Sequence, residues 1–378
     1  MKGNMRFCVP CLFGVEGLVA QELRDMGLEQ VQAENGRVLF SGGWEAMVRA
    51  NLCGRFGERV LLLLGEFPAR SFEELFQGVK ALPWEGLLGK EDAFPVTGSS
   101  LSSQLHSVPD CQAIIKKAIV ERLKAKYKLS WFAESGALHR VRFRILKDQV
   151  SVMVDTSGEG LHKRGYRALS NDAPMKETLA ASLCQLSRLR QDGHLIDPFC
   201  GSGTILIEGA LLARNIAPGL GRAFTAESWG SVPGQLWQQE RERARSLERR
   251  DTGFTAQGFD VDSAAVELTL ANAQKAGVED CITASVRDVR DFTQEGPYGC
   301  VVCNPPYGER LLDVRQAQEL YRALGQVFRP RRGWSFGVIS PDPEFESLFG
   351  RRADKRRKLY NGMIQCQYYQ YFRGSDKR

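Results

Sequence analysis

Four consecutive residues, Asn304-Pro305-Pro306-Tyr307, carry the most specific chemistry in this sequence. An asparagine amide oxygen and the carbonyl of Pro305 can together accept both hydrogens of one exocyclic amino group. The two prolines fix φ and lack N–H donors, so the local backbone offers mainly acceptors. Tyr307 adds a flat ring on which a nucleobase taken out of its helix can stack. The combination suits transfer of a methyl group to the amino nitrogen of a base. The same residues also make an ordinary strand-ending turn, since Pro-Pro followed by Tyr-Gly is loop chemistry. The apolar run Cys300-Val301-Val302-Cys303 precedes them and reads as a buried strand. A second motif upstream decides between the two readings.

That motif is His194-Leu195-Ile196-Asp197-Pro198-Phe199-Cys200-Gly201-Ser202-Gly203-Thr204, a short apolar strand running into a glycine-rich turn. A helix from Thr204 to Arg214 follows. Glycines at such a turn let the backbone approach a ligand at the mouth of a parallel sheet. A phosphate-cradling Gly-Lys-Ser/Thr loop is excluded, because the turn has no lysine. A dinucleotide fingerprint is weak, because Leu206 stands where the third glycine belongs. An Asp four residues before Gly-x-Gly resembles the first motif of class I S-adenosylmethionine methyltransferases. Asp197, Pro198, Gly201, Gly203 and Thr204 are therefore candidate cofactor residues. The next strand ends in Asp260, placed to hold both ribose hydroxyls, with Val261 against the adenine. Asp262 reads as the N-cap of the helix that follows. A third strand, Cys281 to Val286, leads to Asp288 and Val289, also assigned to the cofactor. Asp288 either accepts from the adenine amino group or is a solvated loop acid.

The order of these motifs fits alternating strands and helices. Gly333 to Ser340 reads as a fifth strand. Asn361-Gly362 reads as a hairpin turn before an aromatic-rich closing strand from about Met363 to Phe372. An antiparallel hairpin ending an otherwise parallel sheet is how class I methyltransferases finish.

The chain has 378 residues, too many for one core of ordinary size. Residues before about Leu169 lack the alternating pattern. Phe7 to Pro10 reads as a strand, and Val15 to Met26 as an amphipathic helix stopped by Gly27. Asn35-Gly36 reads as a hairpin turn, and Ser71-x-x-Glu74 as a capping box. A later helix has Asp110 as its expected N-cap, with Ile115, Ile119 and Leu123 facing the core. His139 to Leu146 and Gln149 to Asp155 read as paired strands joined at Lys147-Asp148. Between Cys111 and Lys128 only Glu121 opposes six basic residues. Lys116, Lys117, Lys124 and Lys128 are candidate RNA contacts, a lysine face being either simply solvated or suited to a phosphate backbone. Lys163 and Arg164, in the connector before the second half, are added to them.

The segment from Phe94-Pro95-Val96-Thr97-Gly98 through this helix resembles a THUMP domain, an RNA-binding module. With the glycine loop, the Asn304 to Arg310 run and Leu359-Tyr360-Asn361-Gly362, nearly the whole chain resembles the bacterial 23S rRNA guanine-N2 methyltransferase family of the RlmL type. The resemblance implies a ferredoxin-like region at 1–65, a THUMP α+β domain at 66–160 and a Rossmann-like methyltransferase domain at 161–378. It implies S-adenosylmethionine as donor, S-adenosylhomocysteine as product, and a guanine of 23S rRNA or of a large-subunit precursor as target. Long members carry a second methyltransferase domain; the expectation here is a short form lacking it. The methionine end of the cofactor is expected near Ala173 to Thr178, with Glu177 either in that site or a helix N-terminal acid. A tRNA guanine-N2 enzyme, an N6-adenine methyltransferase and a non-catalytic ribosome-assembly factor are the rival readings.

Composition adds limits. The formal net charge of +6 is compatible with nucleic acid. Basic clusters occur at Arg329 to Arg332 and Arg351 to Lys358. Gln239 to Arg250 mixes Glu with Arg and reads as an exposed inserted helix supported by i, i+4 pairs. There are ten cysteines, with C-x-x-C pairs at Cys8/Cys11 and Cys300/Cys303. The second pair lies within a strand, where residues three apart point to opposite faces, so no metal is expected. Reduced cysteines, no signal-peptide pattern and no apolar run near ~18 residues lead to an expected cytoplasmic protein without a membrane partner.

Overall fold

The computed structural model describes residues 4–167, 175–307 and 314–372. The chain divides into two compact units. The first comprises Met1–Cys11, Val19–Leu161 and Ala223–Glu242; the second comprises Leu12–Leu18, His162–Arg222 and Arg243–Arg378.

In chain order the first half contains β1 (Met5–Pro10), α1 (Glu16–Asp25), β2 (Glu29–Glu34), β3 (Arg37–Gly42), α2 (Trp44–Cys53), β4 (Leu61–Pro68), α3 (Phe72–Ala81), β5 (Val96–Leu101), α4 (Val108–Tyr127), β6 (Val141–Leu146) and β7 (Gln149–Asp155). The strands form one sheet in the order β2-β3-β1-β4-β7-β6-β5. The ferredoxin-like and THUMP regions therefore share a sheet, and the boundary expected at residue 65 falls inside β4. That strand pairs with β1 on one side and β7 on the other. Its register against β7 shifts between Leu63 and Gly65.

Local sequence signals explain the corners of this sheet. Asn35-Gly36 closes β2 onto β3 with Glu34 opposite Arg37 and Gly36 at φ +73°. Lys147 and Asp148 both take positive φ, +51° and +61°, the backbone of a two-residue primed turn between β6 and β7. Ser71 Oγ accepts from Glu74 N at 3.2 Å, while the Glu74 carboxylate accepts from Arg70 N rather than from the cap residue itself. Helix α4 starts earlier than expected: its N-cap is Ser107 and Asp110 lies in the first turn. Pro109 suits that first turn, since its missing N–H is one the helix leaves unpaired anyway. Ile115, Ile119 and Leu123 are fully buried, as their spacing requires.

The second half adds α5 (Glu177–Leu186), β8 (His194–Asp197), α6 (Thr204–Ala213), α7 (Gly234–Ser246), β9 (Thr255–Asp260), α8 (Ser263–Ala276), β10 (Ile282–Val286), β11 (Gly299–Cys303), α9 (Val314–Val327), β12 (Trp334–Ser340), α10 (Phe345–Phe349), β13 (Lys355–Asn361) and β14 (Ile364–Phe372). Their sheet runs β10-β9-β8-β11-β12-β14-β13. The first five strands are parallel; β14 is antiparallel to both β12 and β13. Every residue of β11 is buried, as a central parallel strand covered on both faces demands. Val301, Cys303, Phe336, Tyr369 and Phe328 belong to one core cluster. Cys300 Sγ lies 3.7 Å from the Ser187 carbonyl, whereas Cys303 sits in that cluster.

The inserted segment departs from expectation. Residues 223–242 belong to the first unit, and they are anchored by aromatic side chains rather than only by charge pairs. Trp229 is buried, stacks on His139 with ring centroids 4.4 Å apart, and donates from Nε1 to the Leu138 carbonyl. Phe224 and Trp237 stack at 5.0 Å, and Glu240 pairs with Arg49 at 3.2 Å. Burying three large rings outweighs the few tenths of a kcal/mol per pair that exposed helix charges supply.

Candidate active site

The candidate cofactor and substrate residues gather at the C-terminal ends of the parallel strands, where a doubly wound sheet presents its ligand site. Asp197 ends β8 and is buried, and its carboxylate accepts from Phe199 N at 3.1 Å. Burial, only partly offset by that hydrogen bond, pushes its pKa up to about 8. The turn that follows is strained in the way glycine relieves. Gly201 and Gly203 take φ +53° and +79°, and a Cβ on Gly203 would lie 2.9 Å from Thr269 Cγ2. A Cβ on Gly201 would meet nothing within 4 Å, so the backbone there borders open space. Thr204 is the first residue of α6, and its hydroxyl is 3.1 Å from Ser202 Oγ.

Two side chains of α8 pin this loop and were not anticipated from sequence. Thr269 Oγ1 donates to the Gly201 carbonyl at 2.9 Å, and Asn272 Nδ2 donates to the Ser202 carbonyl at 2.9 Å. Both are buried. The available signal was two polar residues three apart on the packed side of an otherwise apolar helix.

Asp260 ends β9. Its carboxylate accepts from Gly201 N at 3.0 Å and from Asp262 N at 3.1 Å, which ties the strand tip to the glycine loop. Val261 is 69% exposed, unusual for valine and suited to an aromatic ligand face. Asp262 caps α8 by accepting from Ala264 N, as expected. Asp288 is turned toward its own loop, accepting from Arg290 N at 2.8 Å and pairing with Arg290 Nη1 at 2.7 Å. Val289 is buried in the core cluster with Phe292, so its side chain supports the floor of this region.

Asn304-Pro305-Pro306-Tyr307 follow β11 directly. The Asn304 Oδ1 atom is buried and accepts no hydrogen bond among the described residues. A buried amide oxygen without a donor costs on the order of 1–3 kcal/mol, a cost that an incoming N–H donor would relieve. Pro305 is buried as well. Tyr307 Oη accepts from Asn361 Nδ2 at 2.8 Å, and burial raises the phenol pKa above its ordinary value.

A buried polar cluster lies near the start of α5 and α6. Arg167 pairs with Glu177 at 2.7 Å and reaches Thr204 Oγ1 at 3.4 Å. Glu177 Oε2 has no partner among the described residues, and burial raises that carboxyl's pKa. Residues 173 and 174 of the expected methionine-end segment lie outside the described residues.

The candidate RNA residues separate into two kinds. Arg164 is buried and paired with Glu208 at 3.5 Å, so it belongs to the interior rather than to an RNA face. Its partner lies far along the chain, which the sequence pattern does not reveal. Lys116 is held by Glu134 and by the Phe94 carbonyl, with its ammonium 3.6 Å from the Phe94 ring centroid. Lys124 pairs with Glu121 at 3.1 Å. Lys117, Lys128 and Lys163 are exposed. Among the described residues no group of three or more His, Cys, Asp or Glu side chains is arranged to hold a metal ion. No helix among them is long and apolar enough to cross a membrane.

Comparison with known proteins places these features in a family. Residues 6–61 match the RlmL ferredoxin-like domain, 69–155 the THUMP domain, and 164–370 the RMKL-like methyltransferase domain. The chain is 44% identical over 361 residues to YpsC of Bacillus subtilis, provisionally named an RNA methyltransferase, covering 95% of this chain and 94% of that protein. It is 35% identical to the ribosomal RNA large subunit methyltransferase K/L of Psychromonas ingrahamii, covering 99% of this chain but 51% of that longer protein. Among solved structures, SMU.472, a provisionally named methyltransferase in complex with SAH, is 42% identical with TM-score 0.94 over 100% of both chains. A Listeria monocytogenes protein described as a predicted N6-adenine-specific DNA methylase is 44% identical with TM-score 0.93, covering 98% of this chain and 97% of its own.

Proposed function

The chain belongs to the RlmL-type family of THUMP-domain methyltransferases, and from that premise we propose that it methylates the exocyclic N2 amino group of a guanine in 23S rRNA. The observation that carries the chemistry is the buried Asn304 Oδ1 just past β11, which has no partner among the described residues.

S-adenosylmethionine, when bound, supplies a methyl group already activated on a sulfonium. The residues present fit it: open space beside Gly201, the Asp260 carboxylate for ribose hydroxyls, and exposed Val261 for the adenine face. Asp288, expected at the adenine end, would have to exchange its Arg290 pair for the adenine amino group, and Val289 supports that end only from the core beneath it. The difficulty lies in the nucleophile, since a guanine amino lone pair is delocalised into the ring. Asn304 Oδ1 and the Pro305 carbonyl accept the two amino hydrogens and turn the nitrogen toward the electrophile. This is positioning and electrostatic preorganisation, which requires no strong general base. Tyr307 offers the stacking face, worth ~1–3 kcal/mol per base against the few kcal/mol that extruding a base costs. The THUMP region and exposed lysines such as Lys117 and Lys128 supply affinity for the RNA backbone.

The same acceptor pair fits the amino group of adenine, and the name given to the Listeria structure keeps that reading alive. The test offers tritiated S-adenosylmethionine with 23S rRNA, tRNA and duplex DNA from cells lacking the enzyme, followed by nucleoside mass spectrometry. N2-methylguanosine confined to 23S rRNA is the expected product. N6-methyladenine, or label in tRNA, overturns the substrate assignment.

A further inference from the structure

Leu359-Tyr360-Asn361-Gly362 has no part in the chemistry described above, yet its asparagine reaches the candidate site. Asn361 is the last residue of β13 and pairs with Ile364 across the two-residue turn Gly362-Met363. Gly362 takes φ +63°, so the turn closes without help from the Asn361 side chain. That side chain instead donates from Nδ2 to Tyr307 Oη at 2.8 Å. Cys366 Sγ of β14 lies 3.9 Å from the same hydroxyl. Tyr307 is thus anchored by its backbone just beyond β11 and by its hydroxyl on Asn361 of β13, three strands away in the sheet order. The two anchors fix the course of the ring's long axis and so the position of its faces, and stacking depends on that position.

We propose that Asn361 is a positioning residue: its amide fixes the ring of Tyr307 as the platform on which the target base stacks. The proposal rests on the base-methylation reading above. Burial keeps the phenol protonated, so the hydroxyl accepts from Asn361 and retains its own proton for Cys366 or solvent.

A double-mutant cycle tests the coupling on whichever nucleic acid the wild type labels. Asn361→Ala and Tyr307→Phe should each lower kcat/KM for RNA about tenfold, the rate equivalent of one hydrogen bond. The double variant should be no worse than either single one. Asn361→Asp should retain most activity, because Tyr307 can donate to the carboxylate, and adding Tyr307→Phe should remove that rescue. S-adenosylhomocysteine affinity should be unchanged throughout. Losses that multiply to about a hundredfold in the double variant sink the proposal. If Asn361→Ala fails to fold, wild-type kcat/KM in Tyr307→Phe sinks it as well. Methylation of a base other than a 23S rRNA guanine overturns the substrate reading but leaves the cycle measurable. A wild type that labels no nucleic acid overturns both.

Discussion

The two halves of the candidate site solve opposite problems on the same sheet edge. On the cofactor side most polar groups pair with one another, although the buried Asn272 Oδ1 and Glu177 Oε2 have no partner among the described residues. Asp260 is held by Gly201 N and Asp262 N, and Asp197 by Phe199 N. Thr269 and Asn272 hold the loop carbonyls. On the substrate side, Asn304 Oδ1 is buried and has no donor among the described residues. The first arrangement fixes a shape against which a ligand fits. On the proposed reading the second withholds hydrogen-bonding capacity until a substrate supplies it, so that its energy would appear only with the amino group in place.

The sharpest way to break this contrast is Asn304→Ala. If the two sides are independent, turnover falls by about 10²–10³, the cost of removing one preorganised polar group. S-adenosylhomocysteine binding by calorimetry should be almost unchanged. A variant that loses cofactor affinity instead would move Asn304 to the other side of the comparison.

Asp197 probes how much burial the cofactor side tolerates. The folded carboxyl keeps its proton up to about pH 8, against an ordinary value of 3.8. Between those values the folded state binds more protons than the unfolded state, so stability falls as pH rises across the window. Asp197→Asn cannot ionise and should flatten that fall, by on the order of a few kcal/mol across the window. Urea midpoints of both proteins over this range measure the difference; parallel curves would mean the carboxyl is already ionised at low pH.

Asp260→Asn asks whether the mutual satisfaction of the loop still leaves binding power. The amide oxygen can still accept from Gly201 N, so the tie to the loop should hold although the bond from Asp262 N is lost. Losing the charge should weaken S-adenosylhomocysteine by about 10–100-fold, as for hydrogen bonds to charged groups. Unchanged affinity would leave Asp260 as a strut for the loop.

These contrasts also mark what the sequence could reveal. Motif order and strand-end chemistry were enough to anticipate the parallel sheet, the β11 core strand and the antiparallel finish, because each depends on local pattern. Lys147-Asp148 and Asn35-Gly36 were legible for the same reason. Contacts between distant residues were not: Arg164 finds Glu208, and Asn361 finds Tyr307, only once the sheet has assembled. In the inserted segment the regular Glu/Arg spacing of Gln239 to Arg250 drew attention from Phe224, Trp229 and Trp237. Three large rings in so short a stretch are too apolar for an exposed excursion, and their burial was the available signal. The continuity of the first sheet across β4 was hidden as well, since a strand that pairs on both edges reads like any other apolar run.

The smallest expected effect concerns the lysines, and it sharpens the same distinction between groups already partnered and groups open to a substrate. Lys116 is committed to Glu134 and the Phe94 carbonyl, whereas Lys117 and Lys128 are exposed on the same helix and its cap. A lysine that neutralises a phosphate releases condensed counterions, so removing one such lysine lowers the slope of log K against log salt by ~0.7–0.9. Lys117→Ala with Lys128→Ala should therefore reduce the slope of RNA binding by roughly one to two. Lys116→Ala should leave the slope unchanged and instead lower the melting temperature, because it removes the Glu134 ion pair and leaves that carboxylate only the Phe94 N–H. The reverse pattern, a slope change in Lys116→Ala alone, would mean that RNA displaces the Glu134 pair on binding. The helix face would then be partnered at rest, like the glycine loop, and freed only by substrate.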